Sequence, residues 1–128
     1  MLLPITATVA AMLTFMYLVL TACVFYGRQS GMGPGLGVGE NETFIRMIRS
    51  HANFGEYVPL FLILLMLLEL AGVTTLILSL LSATFIVGRF CYLFGITVAT
   101  ALHYRILGMI LTISVLALCA VILLMVVY

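Results

Sequence analysis

The chain has 128 residues, of which 66% are apolar and 7% charged, with a formal net charge of +1. Soluble domains carry about 25% charged residues, so this composition excludes a soluble globular domain. Nor does a charge this close to neutral mark nucleic acid as a partner.

A membrane-crossing helix needs about 20 apolar residues, and four segments supply them: Ile5 to Tyr26, Phe44 to Ala71, Leu76 to Ile96 and Ile106 to Val127. They take up most of the chain. The expected fold is therefore an all-α membrane protein, a four-transmembrane-helix bundle forming one domain over residues 1–128, small enough for self-association.

The N-terminus has no basic region, and Met1 to Tyr26 runs directly into a membrane-length helix. It reads as the first span rather than a cleaved signal. This span is uncharged, and Thr6, Thr8, Thr14 and Thr21 can return their hydroxyls to backbone carbonyls. Arg28 follows at the mouth of the bundle. The segment Gly27 to Glu42, GRQSGMGPGLGVGENE, holds six glycines in sixteen residues. No strand precedes it and no GK[ST] follows, so it reads as a flexible loop rather than a phosphate cradle. Asn41 or Thr43 can cap the next helix. The sequon Asn41-Glu42-Thr43 is expected to be unused, lying beside the bilayer on the cytoplasmic side.

The second span holds the unusual chemistry. Arg46, Arg49, His51, Asn53, Glu56 and Tyr57 precede a run apolar enough to cross a bilayer. A charge at mid-membrane costs roughly 2.5–3.5 kcal/mol on insertion scales, so it marks a function or a partner. At about 100° per residue, Arg46, Arg49, Asn53, Glu56 and Tyr57 fall within an arc of roughly 100°, with His51 on the other side. Pro59 leaves the carbonyl of Gly55 without its helical donor, which favours a kink and a polar cavity beside Glu56 and Tyr57. Glu69, near the far end, is expected to snorkel to the outer surface in a structural role.

In the third span Arg89 and Tyr92 share a face. If the second and third spans are antiparallel, Arg89 lies roughly 12 Å and Glu56 roughly 18 Å from the same surface at about 1.5 Å per residue. A buried Glu56–Arg89 pair is the expectation. His103, Tyr104 and Arg105 introduce the fourth span. Cys23, Cys91 and Cys119 sit in three different spans without CxxC spacing and read as apolar fillers, neither metal ligands nor disulfide partners.

There is no Lys and no Asp. Arg28, Arg46 and Arg49 flank the first connection, and His103 and Arg105 the third. The positive-inside rule puts both connections in the cytoplasm and both termini outside. A structural ion network could absorb some of these charges. Yet Arg28, Arg46, Arg49 and Arg105 outnumber the acids near them, which leaves positive charge for a small carboxylate-bearing anion. Glu56 could take an amine on the same ligand.

Arg46-x-x-Arg49-x-x-x-Asn53-x-x-Glu56-Tyr57-x-Pro59 resembles the second-helix pattern RxxRxxxNxxE[YF]xP of the MAPEG family, the membrane-associated proteins in eicosanoid and glutathione metabolism. Gly88-Arg89-x-x-Tyr92 and Arg105 are similar to its third and fourth helices. HANFGEYVPL followed by LLMLLEL is similar to the short bacterial branch. The resemblance covers nearly the whole chain and implies a homotrimer in a bacterial inner membrane, with glutathione as co-substrate at each subunit interface. It implies glutathione-holding roles for Arg49, Asn53, Glu56 and Tyr57, joined by Arg89 and Tyr92. Arg28 would come from the neighbouring subunit. Arg105 matches the arginine that stabilises the thiolate in some members, with Tyr104 beside it as the alternative. Ile96 stands where several eukaryotic members have a tyrosine. The implied activity is transferase or peroxidase chemistry on lipophilic electrophiles or lipid hydroperoxides. A non-catalytic scaffold binding a lipid or thiol is the alternative. A small multidrug-type transporter fits poorly, since that class relies on a carboxylate in the first span.

Overall fold

The structure is a computed structural model describing residues 3–98 and 101–128. Four helices follow one another: α1 Pro4–Gln29, α2 Glu42–Leu70, α3 Thr75–Thr97 and α4 Leu102–Val127. All four are long and apolar enough to cross a membrane. α1 packs on α2 and α3 on α4, with α2 joining the two pairs.

Three of the boundaries have a clear local cause. α1 opens on Pro4, whose missing N–H costs nothing in a first turn. Asn41 caps α2, its Oδ1 accepting from the Phe44 N–H at 3.0 Å. α2 stops in a Schellman turn: Gly72 takes φ +80°, its N–H bonds to the Glu69 carbonyl, and the Val73 N–H bonds to the Leu68 carbonyl. α1 runs on to Gln29 and α4 starts at Leu102, so Arg28, His103 and Arg105 lie in terminal helical turns rather than in the connections.

The 29 residues of α2 span roughly 44 Å at 1.5 Å per residue, against a hydrocarbon thickness of about 30 Å. Tilt or extension into the headgroup region takes up the excess length.

The core runs along the bundle through Leu13, Phe54, Phe61, Leu65, Leu68, Leu78, Phe85 and Cys119. Phe61 and Phe85 stack at 3.9 Å between ring centroids. On the other face of α2, His51 stacks on Tyr17 at 4.6 Å. Thr8, Thr14 and Thr21 donate to the carbonyls four residues back, as expected, whereas the buried Thr6 hydroxyl has no hydrogen-bond partner among the described residues. The three cysteines are free thiols on α1, α3 and α4.

Glu69 does not snorkel. Its carboxylate reaches α1 and accepts from the Ile5 N–H at 2.9 Å and the Thr6 N–H at 2.8 Å. It caps a helix that has no side-chain cap of its own. Two orphan donors are satisfied and a negative charge meets the positive end of the helix dipole. Glu69→Ala should therefore destabilise the protein by about 1–2 kcal/mol, and Glu69→Gln, which keeps one acceptor, by less. Thermal unfolding in detergent measures both.

The Gly-rich connection, expected to be a flexible loop, folds back over the end of α2. Arg28 Nη1 donates to the carbonyls of Pro34, Gly35 and Gly37 at 2.7, 3.0 and 3.3 Å, and its guanidinium lies 5.3 Å from the Phe44 ring centroid. The fully buried Phe44 ring is held between Gly27 and Gly33, where added Cβ atoms would collide with it.

Candidate functional site

α3 and α4 approach closely enough that backbone touches backbone. A Cβ on Gly95 would collide with the backbone of Arg105, and one on Gly108 with the backbone of Tyr92. Small residues at such crossings allow this approach. Here it carries Arg105, in the first turn of α4, to the side of α3 that faces α2.

The result is a cleft of about 330 Å³ among α2, α3 and α4, lined by Arg49, Ala52, Asn53, Glu56, Tyr92, Arg105 and Met109. A second cleft of about 290 Å³ lies beside it, and Arg49 and Arg105 line both. Arg46, Gly95 and Ile96 are among the other residues of the second cleft. Arg49 and Arg105 are thus common to both clefts. Arg49, Glu56 and Arg105 are exposed, Asn53 and Met109 half-buried, and Tyr92 buried.

Five of the residues singled out in the sequence therefore share one cleft: Arg49, Asn53, Glu56, Tyr92 and Arg105. Arg89 lies beneath it, 1% exposed. Its Nη1 donates to Asn53 Oδ1 at 2.7 Å and its Nη2 to Thr112 Oγ1 at 2.6 Å. The rings of Tyr92, Tyr57 and Phe85 surround it, with centroids 5.1, 5.6 and 5.8 Å away. Tyr57 therefore packs against Arg89 rather than lining the cleft. Arg28 is also outside the cleft, held by the loop carbonyls.

The expected Glu56–Arg89 pair does not form. Asn53 lies about 13.5 Å along α2 from Phe44, close to the roughly 12 Å estimated for Arg89, whereas Glu56 is one turn deeper. The amide therefore meets the guanidinium, and the carboxylate faces the cleft. Among the described residues the one ion pair is Arg46 with Glu42, at 3.3 Å. The cavity beside Pro59 also differs from expectation. α2 continues unbroken through the proline, and the groove there, about 350 Å³, is mostly apolar and opens between α1 and α2, away from Glu56.

Sequence reading missed Met109 and Thr112. Met109 Sδ accepts from Asn53 Nδ2 at 3.8 Å and from Arg89 Nη2 at 3.9 Å. Both residues sit one turn or more beyond Arg105 in an apolar helix, and only their spacing of four and seven residues from Arg105 hinted at a shared face. Between the two residues considered for thiol activation, Arg105 lines the cleft, while Tyr104 packs edge-on against Phe94 at 5.2 Å.

Residues 2–125 match the profile of the MAPEG family. The chain belongs to the MAPEG family. The match takes in α1 to α3 and all but the last two residues of α4, and with them the cleft. This MAPEG protein is an integral multi-pass membrane protein of a family concerned with glutathione and eicosanoids. MAPEG proteins include glutathione transferases and peroxidases. No curated protein matches the chain in sequence.

Proposed function

We propose that this MAPEG protein is a membrane-embedded glutathione-dependent transferase or peroxidase acting on lipophilic electrophiles or lipid hydroperoxides. The convergence of Arg49, Asn53, Glu56 and Arg105 on one cleft carries the reading. Glutathione has two carboxylates, one ammonium and one thiol. Planar guanidinium forks suit the carboxylates, and Glu56, which has no cation within 4 Å among the described residues, suits the ammonium. A donor-rich cleft with one free acceptor is complementary to that ligand.

The chemistry that follows is thiol activation. A free thiol has a pKa of about 8.5 and is mostly protonated at neutral pH. A guanidinium that lines both clefts stabilises the thiolate and raises its population. Arg105 takes this role. The thiolate then attacks a co-substrate arriving from the lipid. At an electrophilic carbon it displaces the leaving group or adds to the activated double bond. At a hydroperoxide it breaks the O–O bond, releasing the alcohol and a glutathione sulfenic acid that a second glutathione converts to the disulfide and water. Proximity supplies much of the remaining acceleration.

The cleft opens outward from the chain, which suits completion by a second copy. The working unit is a homotrimer with a site at each interface, and the neighbour's Arg28 reaches it when the loop carbonyls release that side chain. The arginines cluster at one end of the bundle, so the cleft faces the cytoplasm and both termini lie outside it. The short bacterial pattern of α2 points to a bacterial inner membrane.

An ultraviolet difference titration of detergent-purified protein with glutathione tests the reading. Saturable thiolate absorbance at neutral pH, with turnover of a model electrophile or hydroperoxide, is the expected result. Binding without thiolate would instead support a non-catalytic scaffold, and absence of binding would overturn the assignment.

A further inference from the structure

Arg89 is a permanently charged group at 1% exposure in a membrane-spanning helix. A guanidinium cannot deprotonate in a protein. Among the described residues no carboxylate lies within 4 Å of it. Its partners are neutral, and its Nε–H has none.

The direction of each hydrogen bond is fixed. Thr112 donates its own hydroxyl proton to the Gly108 carbonyl at 2.8 Å, so toward Arg89 it can only accept. Asn53 meets Arg89 through Oδ1 at 2.7 Å, because the opposite amide orientation would set donor against donor. The Asn53 NH2 is thereby turned toward Met109 and the cleft.

We propose that Arg89 is a positioning residue: buried without a counter-ion, it holds the Asn53 amide with its NH2 toward the cleft and makes the cleft selective for an anionic ligand. Asn53 then acts in the cleft as a donor only. Beside the exposed Arg49 and Arg105 it offers a carboxylate or thiolate a third donor. The charge behind it strengthens the field, since among the described residues no carboxylate pairs with it. The inference rests on the proposed function for the identity of the ligand, but its geometry does not.

Asn53→Asp is the deciding variant. It is nearly isosteric and gives Arg89 its missing carboxylate, while removing the donor and one unit of net charge from the cleft. The purified detergent-solubilised protein is titrated with glutathione and with glutarate, a plain dicarboxylate, at constant ionic strength, and its thermal unfolding is followed without ligand. Asn53→Asp should fold and unfold at the parent temperature or above, bind both anions at least tenfold more weakly, and show less thiolate absorbance per bound glutathione. Affinity within twofold of the parent, or failure of the variant to fold, would overturn the proposal.

A double-mutant cycle with Arg89→Met and Asn53→Ala tests whether Arg89 acts through Asn53. Non-additive losses in affinity are expected, and additive ones would overturn the orienting role. Should Arg89→Met not fold, Asn53→Asp decides alone. A parent that binds glutarate but not glutathione would overturn the proposed function while leaving the Asn53→Asp comparison decisive. A parent that binds neither would overturn the anion selectivity.

Discussion

Arg105→Ala should reduce turnover by about 100-fold or more, the scale seen when one donor to a developing anion is removed, while glutathione affinity changes only a few-fold. The asymmetry follows from Arg105 lining both clefts. Other donors remain for the carboxylates, because Arg49 lines both clefts as well. On the proposed reading, what disappears is the cation that stabilises the thiolate. The pH profile should move with it. A nearby cation lowers a thiol pKa, so its removal returns the bound thiol toward about 8.5. Residual activity should then climb through the alkaline range, where the parent has already levelled off. Arg105→Lys keeps the charge but not the fork and should recover part of the loss. Single-turnover rates against pH, measured together with the binding titration, separate activation from binding. Equal losses in rate and affinity would show that Arg105 holds the ligand rather than activating it.

Gly108→Ala should be among the most damaging single-methyl changes in the chain. The added Cβ would meet the Tyr92 backbone and lie 2.6 Å from the Gly88 carbonyl oxygen. Backbone cannot rotate away as a flexible side chain can, so α3 and α4 must separate. Overpacking typically costs 1–3 kcal/mol, and rigid backbone on both sides puts this change at about 3 kcal/mol. The functional loss should be as large, since the same crossing carries Tyr92 and Arg105 into the cleft. Thermal unfolding and glutathione titration of the variant measure the two effects. Gly35→Ala, at a glycine where an added methyl would meet no atom within 4 Å, is the control and should be silent in both.

Much of the architecture was legible without coordinates. Lipid imposes a length and a composition on any span, so the four helices and their order follow from apolar run length alone. The α2 motif was also legible, because a 3.6-residue period fixes which residues share a face whatever the neighbours do. Arg49, Asn53 and Glu56 had to point the same way. The resemblance to the MAPEG family rested on the same residues, and the family match bears it out.

Relations between helices were not legible. Periodicity gives a residue's angle about its own axis, but not the height at which it meets another helix. A difference of one turn replaced the expected Glu56–Arg89 pair with Asn53–Arg89 and left Glu56 facing the cleft. Glu69 could be placed near a helix end, but its use as a cap for α1 depends on two ends separated by 63 and 64 residues being brought together. Met109 and Thr112 are ordinary members of an apolar span until Gly95 and Gly108 let α4 settle against α3. The sequence by itself determined the spans, the polar face of α2 and the family. Only the tertiary structure decided which neutral groups surround the buried Arg89 and which charges stay free in the cleft, because burial leaves each polar group the partner at its own depth rather than the one its charge would prefer.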